Sequence, residues 1–185
     1  RMLDEDGNWV SQLQRFNSSP DVSPTASQMP RLVGLAQASK VYRALPELAQ
    51  QSDLFTASGD EIAIGTIGDA STSEGMFWEA MNAACVLEVP MLMSVWDDGY
   101  GISVPKKFQT VKESISKALA GFLREEGTNG LLMYRVRGWD YPALVATYED
   151  AVKQCRERHV PVLVHVEEVT QPQGHSTSGS HERYK

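Results

Sequence analysis

Cysteine is scarce in this sequence. Only Cys85 and Cys155 occur, and each sits in an apolar, helix-like pattern. Two such residues build neither a disulfide framework nor a metal pair, so buried or half-buried thiols are expected. Cationic charge is also short: 17 Lys and Arg face 24 Asp and Glu, a formal net charge of −7. Bulk nucleic-acid binding wants a basic face, so that class is set aside, while a local anion site is not. No apolar run approaches the ~20 residues of a membrane-spanning helix, and no signal-peptide pattern occurs. A GxxxxGK[ST] phosphate loop is missing, which disfavours phosphoryl transfer. A cytoplasmic protein with no membrane and no nucleic-acid partner is expected.

What is there is ordinary for a globular domain: 42% hydrophobic and 22% charged residues in a chain of 185, enough for one full core. Residues 1–24 are polar and rich in Pro and Ser, and read as a loop segment. Residues 25–185 read as one domain. Both ends of the sequence look cut, and a fragment of a longer chain is expected.

Helical spacing of Met29, Leu32, Val33, Ala36 and Val41 predicts a helix from Ser27 to about Leu48. "EIAIGTI" (61–67) and "PMLMSVW" (90–96) have the composition and length of strands. Between them "MFWEAMNAACVL" is apolar nearly all round, so a deeply packed helix from about Ser73 to Glu88 is predicted. "FQTVKESISKALAGFLREEG" reads as an amphipathic helix closed by Gly127. "LLMYRV" (131–136) reads as a strand. Asp140 is placed to cap the helix "YPALVATYEDAVKQCRERH", and "PVLVHVEEV" (161–169) is the last strand. This alternation, with near-continuous apolar strands, predicts an α/β fold: a parallel sheet with helices on both faces.

In such sheets ligands bind beyond the carboxyl ends of the strands. Four polar stretches fall there: 68–75, 97–101, 138–140 and 174–180. In "GDASTSEG" Asp69 stands at a strand end, followed by small residues whose N–H groups can cradle an anion near a helix start. An acid beside an anion cradle is contradictory unless a divalent cation joins them. Mg²⁺ takes oxygen ligands from one or two carboxylates plus phosphate oxygens. "DDGYG" on the next strand end offers the other half: Asp97, Asp98 and loop carbonyls. The competing reading is two unrelated acidic turns.

"GDASTSEGMFWEAMNAACVLEVPMLMSVWDDGYGISVP", with "SPTASQMPRLVGLA" upstream and "GHSTSGSHERYK" downstream, resembles the alpha subunits of thiamin diphosphate-dependent 2-oxo acid dehydrogenases, in their decarboxylase component. The branched-chain, 2-oxoisovalerate type is the nearest in pattern. The resemblance runs from about residue 18 to 185, in order. It implies the thiamin diphosphate-binding fold, with residues 25–185 as the diphosphate-binding domain. By position, Asp69 and Asp98 match metal ligands, and the Tyr100 carbonyl matches a third. Ala70 and Ser71 match backbone positions facing the diphosphate, and Ser23 matches a serine near the aminopyrimidine side. His175 matches a histidine that reaches the diphosphate and borders the active-site entrance. Ser176 and Ser178 lie in a loop that kinases modify in mitochondrial relatives. Pro24, Ser27 and Gln28 match a monovalent-cation loop weakly.

The chain departs from the family pattern at four places. Asp97-Asp98 replaces the usual Asn pair, Ala70 the second glycine, Thr25 a larger aliphatic residue and Trp96 a polar one. His159 and His165 read as a helix end and a strand residue, Glu74 as favourable to a helix start, and Trp139 as loop packing.

The resemblance implies that thiamin diphosphate and Mg²⁺ are the cofactors. It implies that the cofactor serves as an electron sink while a 2-oxo acid loses CO₂, and that the acyl group passes to the lipoyl domain of a separate acyltransferase. It places the acid that touches the cofactor's ring in a beta-type subunit or C-terminal beta half. A dimer or alpha2beta2-like assembly, inactive without the beta part, and a bacterial setting are therefore expected. The alternative is a non-catalytic relative acting as a structural or assembly module, resting on Asp97-Asp98 and Ala70.

Overall fold

The computed structural model describes residues 3–8, 23–49, 60–175 and 179–184. Expectations for residues 9–22 and for Ser176 and Ser178 fall outside them. Helix α1 (Gln28–Ala44) is followed by the short α2 (Pro46–Ala49). Strand β1 (Ala63–Gly68), helix α3 (Gly75–Leu87) and strand β2 (Met91–Trp96) form the first strand–helix–strand unit. A small hairpin, β3 (Tyr100–Gly101) with β4 (Val104–Pro105), and the one-turn helix α4 (Ile115–Ala118) follow. Strand β5 (Leu132–Arg137), helix α5 (Tyr141–Arg158) and strand β6 (Val162–Glu167) complete the domain.

The four long strands form one parallel sheet in the order β1-β2-β6-β5. Their register sets Ile67 beside Val95 and Val95 beside His165. Side chains alternate across the sheet, and the core divides accordingly. Met91, Met93, Val95 and Leu163 cluster with Met29 and Leu32 of α1 and Phe77 and Met81 of α3. Leu92, Val162, Val164 and Val166 cluster with Ala151 and Cys155 of α5. Each fully buried large side chain contributes roughly 1.5–3 kcal/mol. Gly65 lets α1 lie close on β1: a Cβ there would come within 2.6 Å of the Leu32 side chain. Both cysteines are buried and free, and burial pushes their thiols up to about 11 for Cys85 and about 12 for Cys155, which makes them unreactive. Asp140 caps α5 as expected, accepting the Ala143 N–H at 3.1 Å.

Two expectations need correction. The helix predicted over 108–127 is broken into short turns around α4. Lys112 and Glu113 take left-handed φ of 58° and 52°, and Ser114 is extended. The apolar spacing there serves one turn only, which buries Ile115 and Leu119. Ser114 and Ser116 turn inward and share a hydrogen bond at 3.0 Å, a local alternative to helical pairing. Gly127, with φ of 76°, belongs to the turn closed by Thr128 N–H on the Glu125 carbonyl. The second correction lies after β1. Helix α3 starts at Gly75, and Ala70–Ser73 form a separate 3₁₀ turn ended by extended Glu74. The Thr72 hydroxyl donates to the Asp69 carbonyl and tightens that turn.

Candidate functional site

The carboxyl ends of β1, β2 and β6 open into one cavity of about 630 Å³. Gly68, Asp69, Ala70 and Ser71 line it from β1, and Trp96, Asp98 and Tyr100 from β2. Val169, Thr170, Gln171 and His175 line it from the segment after β6. Three of the four polar stretches singled out in the sequence thus meet. The fourth, 138–140, follows edge strand β5, beyond β6, and Gly138 borders a separate apolar cavity instead. Of the anticipated residues, Asp69, Ala70, Ser71, Asp98, Tyr100 and His175 share the cavity. Ser23 is exposed and is not part of its lining, whereas Thr25 is.

Asp69 is the electrostatic centre of this wall. Its side chain is buried, and Oδ2 has no hydrogen-bond partner among the described residues. Burial pushes its carboxyl up to about 7, with the charges of Asp97 and Asp98 adding to the effect and the Ala70 N–H opposing it. A buried, unpaired carboxylate is costly, and an opposite charge is the usual remedy. Asp98 is half-buried, and its Oδ1 accepts the Tyr100 N–H at 3.1 Å. That bond folds the loop back so that Asp98 and Tyr100 face the same space. Ala70 does not take a positive φ, so its extra methyl relative to glycine is tolerated by the backbone. Among the described residues, no group of three His, Cys, Asp or Glu side chains is placed to hold a metal ion. A cation here would draw on two carboxylates, a backbone carbonyl and oxygens of a ligand or water.

Asp97 belongs to a different set. It is buried, and both its oxygens accept from Lys106 Nζ, at 3.2 and 2.9 Å. His165 Nε2 lies 3.1 Å from Oδ2, and His165 Nδ1 lies 3.0 Å from the Ser116 hydroxyl. A carboxylate only accepts, so the ring presents Nε2–H to Asp97. Burial opposes charge on Asp97, but the bonds from His165 and Lys106 outweigh it and hold the carboxyl below its ordinary range. From the sequence alone His165 reads as an ordinary strand residue, and no local pattern singles out Lys106 or Ser116. The available signal was a histidine at an inward position of an otherwise apolar strand, which needs a polar partner.

A sequence profile of the family described as dehydrogenase E1 component matches residues 11–185. The chain belongs to the dehydrogenase E1 component family. Among its relatives, 3-methyl-2-oxobutanoate dehydrogenase subunit alpha of Mycobacterium tuberculosis is 30% identical over 182 residues, covering 97% of this chain and 43% of that protein. The mitochondrial 2-oxoisovalerate dehydrogenase subunit alpha 2 of Arabidopsis thaliana is 29% identical over 161 residues, 86% of this chain and 29% of that one. Its Bos taurus counterpart, 2-oxoisovalerate dehydrogenase subunit alpha, is 29% identical over 164 residues, 88% and 31% respectively. This E1-family chain therefore spans less than half the length of these relatives. The resemblance drawn from its motifs is borne out at the level of the family. Among the described residues, no helix is long and apolar enough to cross a membrane.

One contact beside this cavity is tight enough to test. A Cβ on Gly101 would lie 2.8 Å from Ala70 Cβ and 2.5 Å from the Gln109 side chain. Gly101 therefore lets the hairpin close on the Ala70–Ser73 turn. Overpacking of this kind costs about 1–3 kcal/mol. Gly101→Ala is expected to destabilise the protein by that amount in urea unfolding, and Ala70→Gly to recover part of the loss. No change on Gly101→Ala would mean that the two turns are not in contact.

Proposed function

We propose that this chain is the diphosphate- and Mg²⁺-holding half of a thiamin diphosphate-dependent 2-oxo acid dehydrogenase. The observation that carries the reading is the buried, unpartnered Oδ2 of Asp69 on the wall shared with Asp98 and Tyr100. The donors are all oxygens, the set a small hard cation prefers, and Mg²⁺ commonly joins one or two carboxylates to phosphate oxygens. The residues fit the cofactor on that ground. Asp69, Asp98 and the Tyr100 carbonyl would hold the metal. Ala70 and Ser71 would face the diphosphate through their N–H groups. His175 would approach the diphosphate from the entrance, and Ser23 would stand outside the lining as described.

Thiamin diphosphate supplies the electron sink that loss of CO₂ from a 2-oxo acid requires. This chain's own work is to bind, to orient the diphosphate and to balance its charge. The relatives' names favour a branched-chain 2-oxo acid, and the family pattern implies acyl transfer to a lipoyl carrier of an acyltransferase component. On the same pattern, the acid that contacts the cofactor's ring comes from a beta-type subunit or beta half. The assembly would be dimeric or alpha2beta2-like, on a thiamin diphosphate-binding fold whose sheet carries helices on both faces.

Calorimetric titration of the complete protein, assembled with its beta-type part, tests the reading. Binding of thiamin diphosphate that depends on Mg²⁺ is expected, together with CO₂ release from 3-methyl-2-oxobutanoate. The purified 185-residue chain alone is expected to fold and to give no turnover. Turnover by that chain without a beta-type contaminant would overturn the division of labour. Absence of cofactor binding by the assembled protein would favour a non-catalytic assembly module.

A further inference from the structure

Three carboxylates crowd one end of the sheet: Asp69, Asp97 and Asp98. Only two of them line the cavity. We infer that Lys106, with His165, is a positioning residue that withdraws Asp97 from the site and cancels its charge, leaving Asp69 and Asp98 to meet the ligand. The inference rests on the proposed metal and diphosphate reading and says how this chain tolerates an extra acid beside it.

The geometry is specific. Lys106 reaches both Asp97 oxygens, and its own backbone N–H donates to the Gly99 carbonyl at 2.9 Å. The same residue thus closes the loop that carries Asp98 and Tyr100 and neutralises the acid at its base. Asp97 is pinned along the backbone as well: its N–H donates to Val166 and its carbonyl accepts from Val169, each at 2.9 Å. His165 holds the carboxylate from inside the sheet and is itself anchored on Ser116. Glu167 lies 3.8 Å from the other His165 nitrogen and is itself paired with Arg135.

Without the lysine, Asp97 would be a buried, unbalanced negative charge one residue from Asp98. Such a charge repels an incoming diphosphate and pulls the loop out of place. With an amide at position 97, the lysine would have nothing to cancel. The consequence is a particular non-additive pattern.

The experiment measures thiamin diphosphate affinity, at saturating Mg²⁺, by calorimetry on the full-length chain assembled with its beta-type part. Lys106→Met is expected to weaken binding by roughly tenfold, equivalent to about 1.4 kcal/mol. Asp97→Asn alone is expected to stay within about threefold of wild type, and so is the double variant Asp97→Asn/Lys106→Met, a spread of under about 1 kcal/mol. Recovery in the double variant supports charge cancellation, because a lysine that touched the diphosphate itself would be missed equally in both backgrounds. A tenfold loss that persists in the double variant overturns the inference, and so does an unchanged affinity in Lys106→Met. If Lys106→Met fails to fold, the comparison of Asp97→Asn with the double variant still decides: a tenfold difference between them overturns the inference. A wild-type assembly that binds no thiamin diphosphate overturns the functional reading and this inference together, whereas normal wild-type binding with the wrong variant pattern overturns this inference alone.

Discussion

Asp69→Ala in the complete, assembled protein is expected to lose Mg²⁺-dependent binding of thiamin diphosphate by at least roughly a hundredfold, about 2.7 kcal/mol. The fold should survive the change. Oδ2 of Asp69 makes no hydrogen bond among the described residues, and burial, with Asp97 and Asp98 nearby, raises its carboxyl to about 7. Such a group contributes little to a ligand-free core and much to a cation. The Thr72 hydroxyl bonds the Asp69 backbone carbonyl, not its side chain, so the turn after β1 keeps that bond in the variant. Calorimetry and thermal melting check the two halves of the expectation. Wild-type affinity in Asp69→Ala would remove Asp69 from the metal site. Loss of folding along with binding would make it a structural residue.

Asp98 should separate two oxygen-dependent roles. Its Oδ1 accepts the Tyr100 N–H at 3.1 Å, and its carboxylate lines the cavity. Asn keeps an oxygen for both roles and removes one negative charge beside the diphosphate. Asp98→Asn is therefore expected to bind thiamin diphosphate with Mg²⁺ as tightly as wild type, or more tightly. Leu supplies neither a ligand nor an acceptor. Asp98→Leu should lose the turn bond, worth about 1 kcal/mol, and a metal ligand besides, so an affinity loss beyond tenfold is expected, more than about 1.4 kcal/mol. Equal affinities for the Asn and Leu variants would take Asp98 out of the site. A loss of thermal stability confined to the Leu variant, with no difference in affinity, would leave it as a turn residue only.

The two acids of the "DD" pair show where reading residues in order runs out. They are adjacent in the chain and look equivalent as oxygen donors. In the folded protein Asp98 faces the cavity, while Asp97 is buried against Lys106 and His165. Strand geometry turns neighbouring side chains to opposite sides, but which side holds the ligand depends on what packs there. His165 comes from the strand that lies between β2 and β5, and Ser116 from a helix that local spacing predicted to be far longer.

Other features needed no tertiary information. The strands were legible because buried parallel strands are continuous apolar runs, and "MLMSVW" and "VLVHVE" are nearly that. The cap of α5 was legible because Asp140 and the Ala143 N–H are fixed by local geometry alone. Asp69 was legible because an acid between a strand end and a run of small residues has few local uses.

By itself, then, the sequence determined the alternating elements, the buried thiols, the polar loops and the membership of the E1 family, since each depends on residues close in the chain or on a pattern kept in order. The tertiary structure decided the rest. Strand order brought the loops after β1, β2 and β6 to one cavity and left the loop after β5 outside it. The inward turn of Ser114 and Ser116 replaced a predicted helix. The pairing of Asp97 with Lys106 and His165 buried one acid of the pair, while Asp98 lines the cavity. The strand order and the His165 contacts with Asp97 and Ser116 join segments distant in sequence, and a local pattern carries no term for the charge or space that a distant segment supplies.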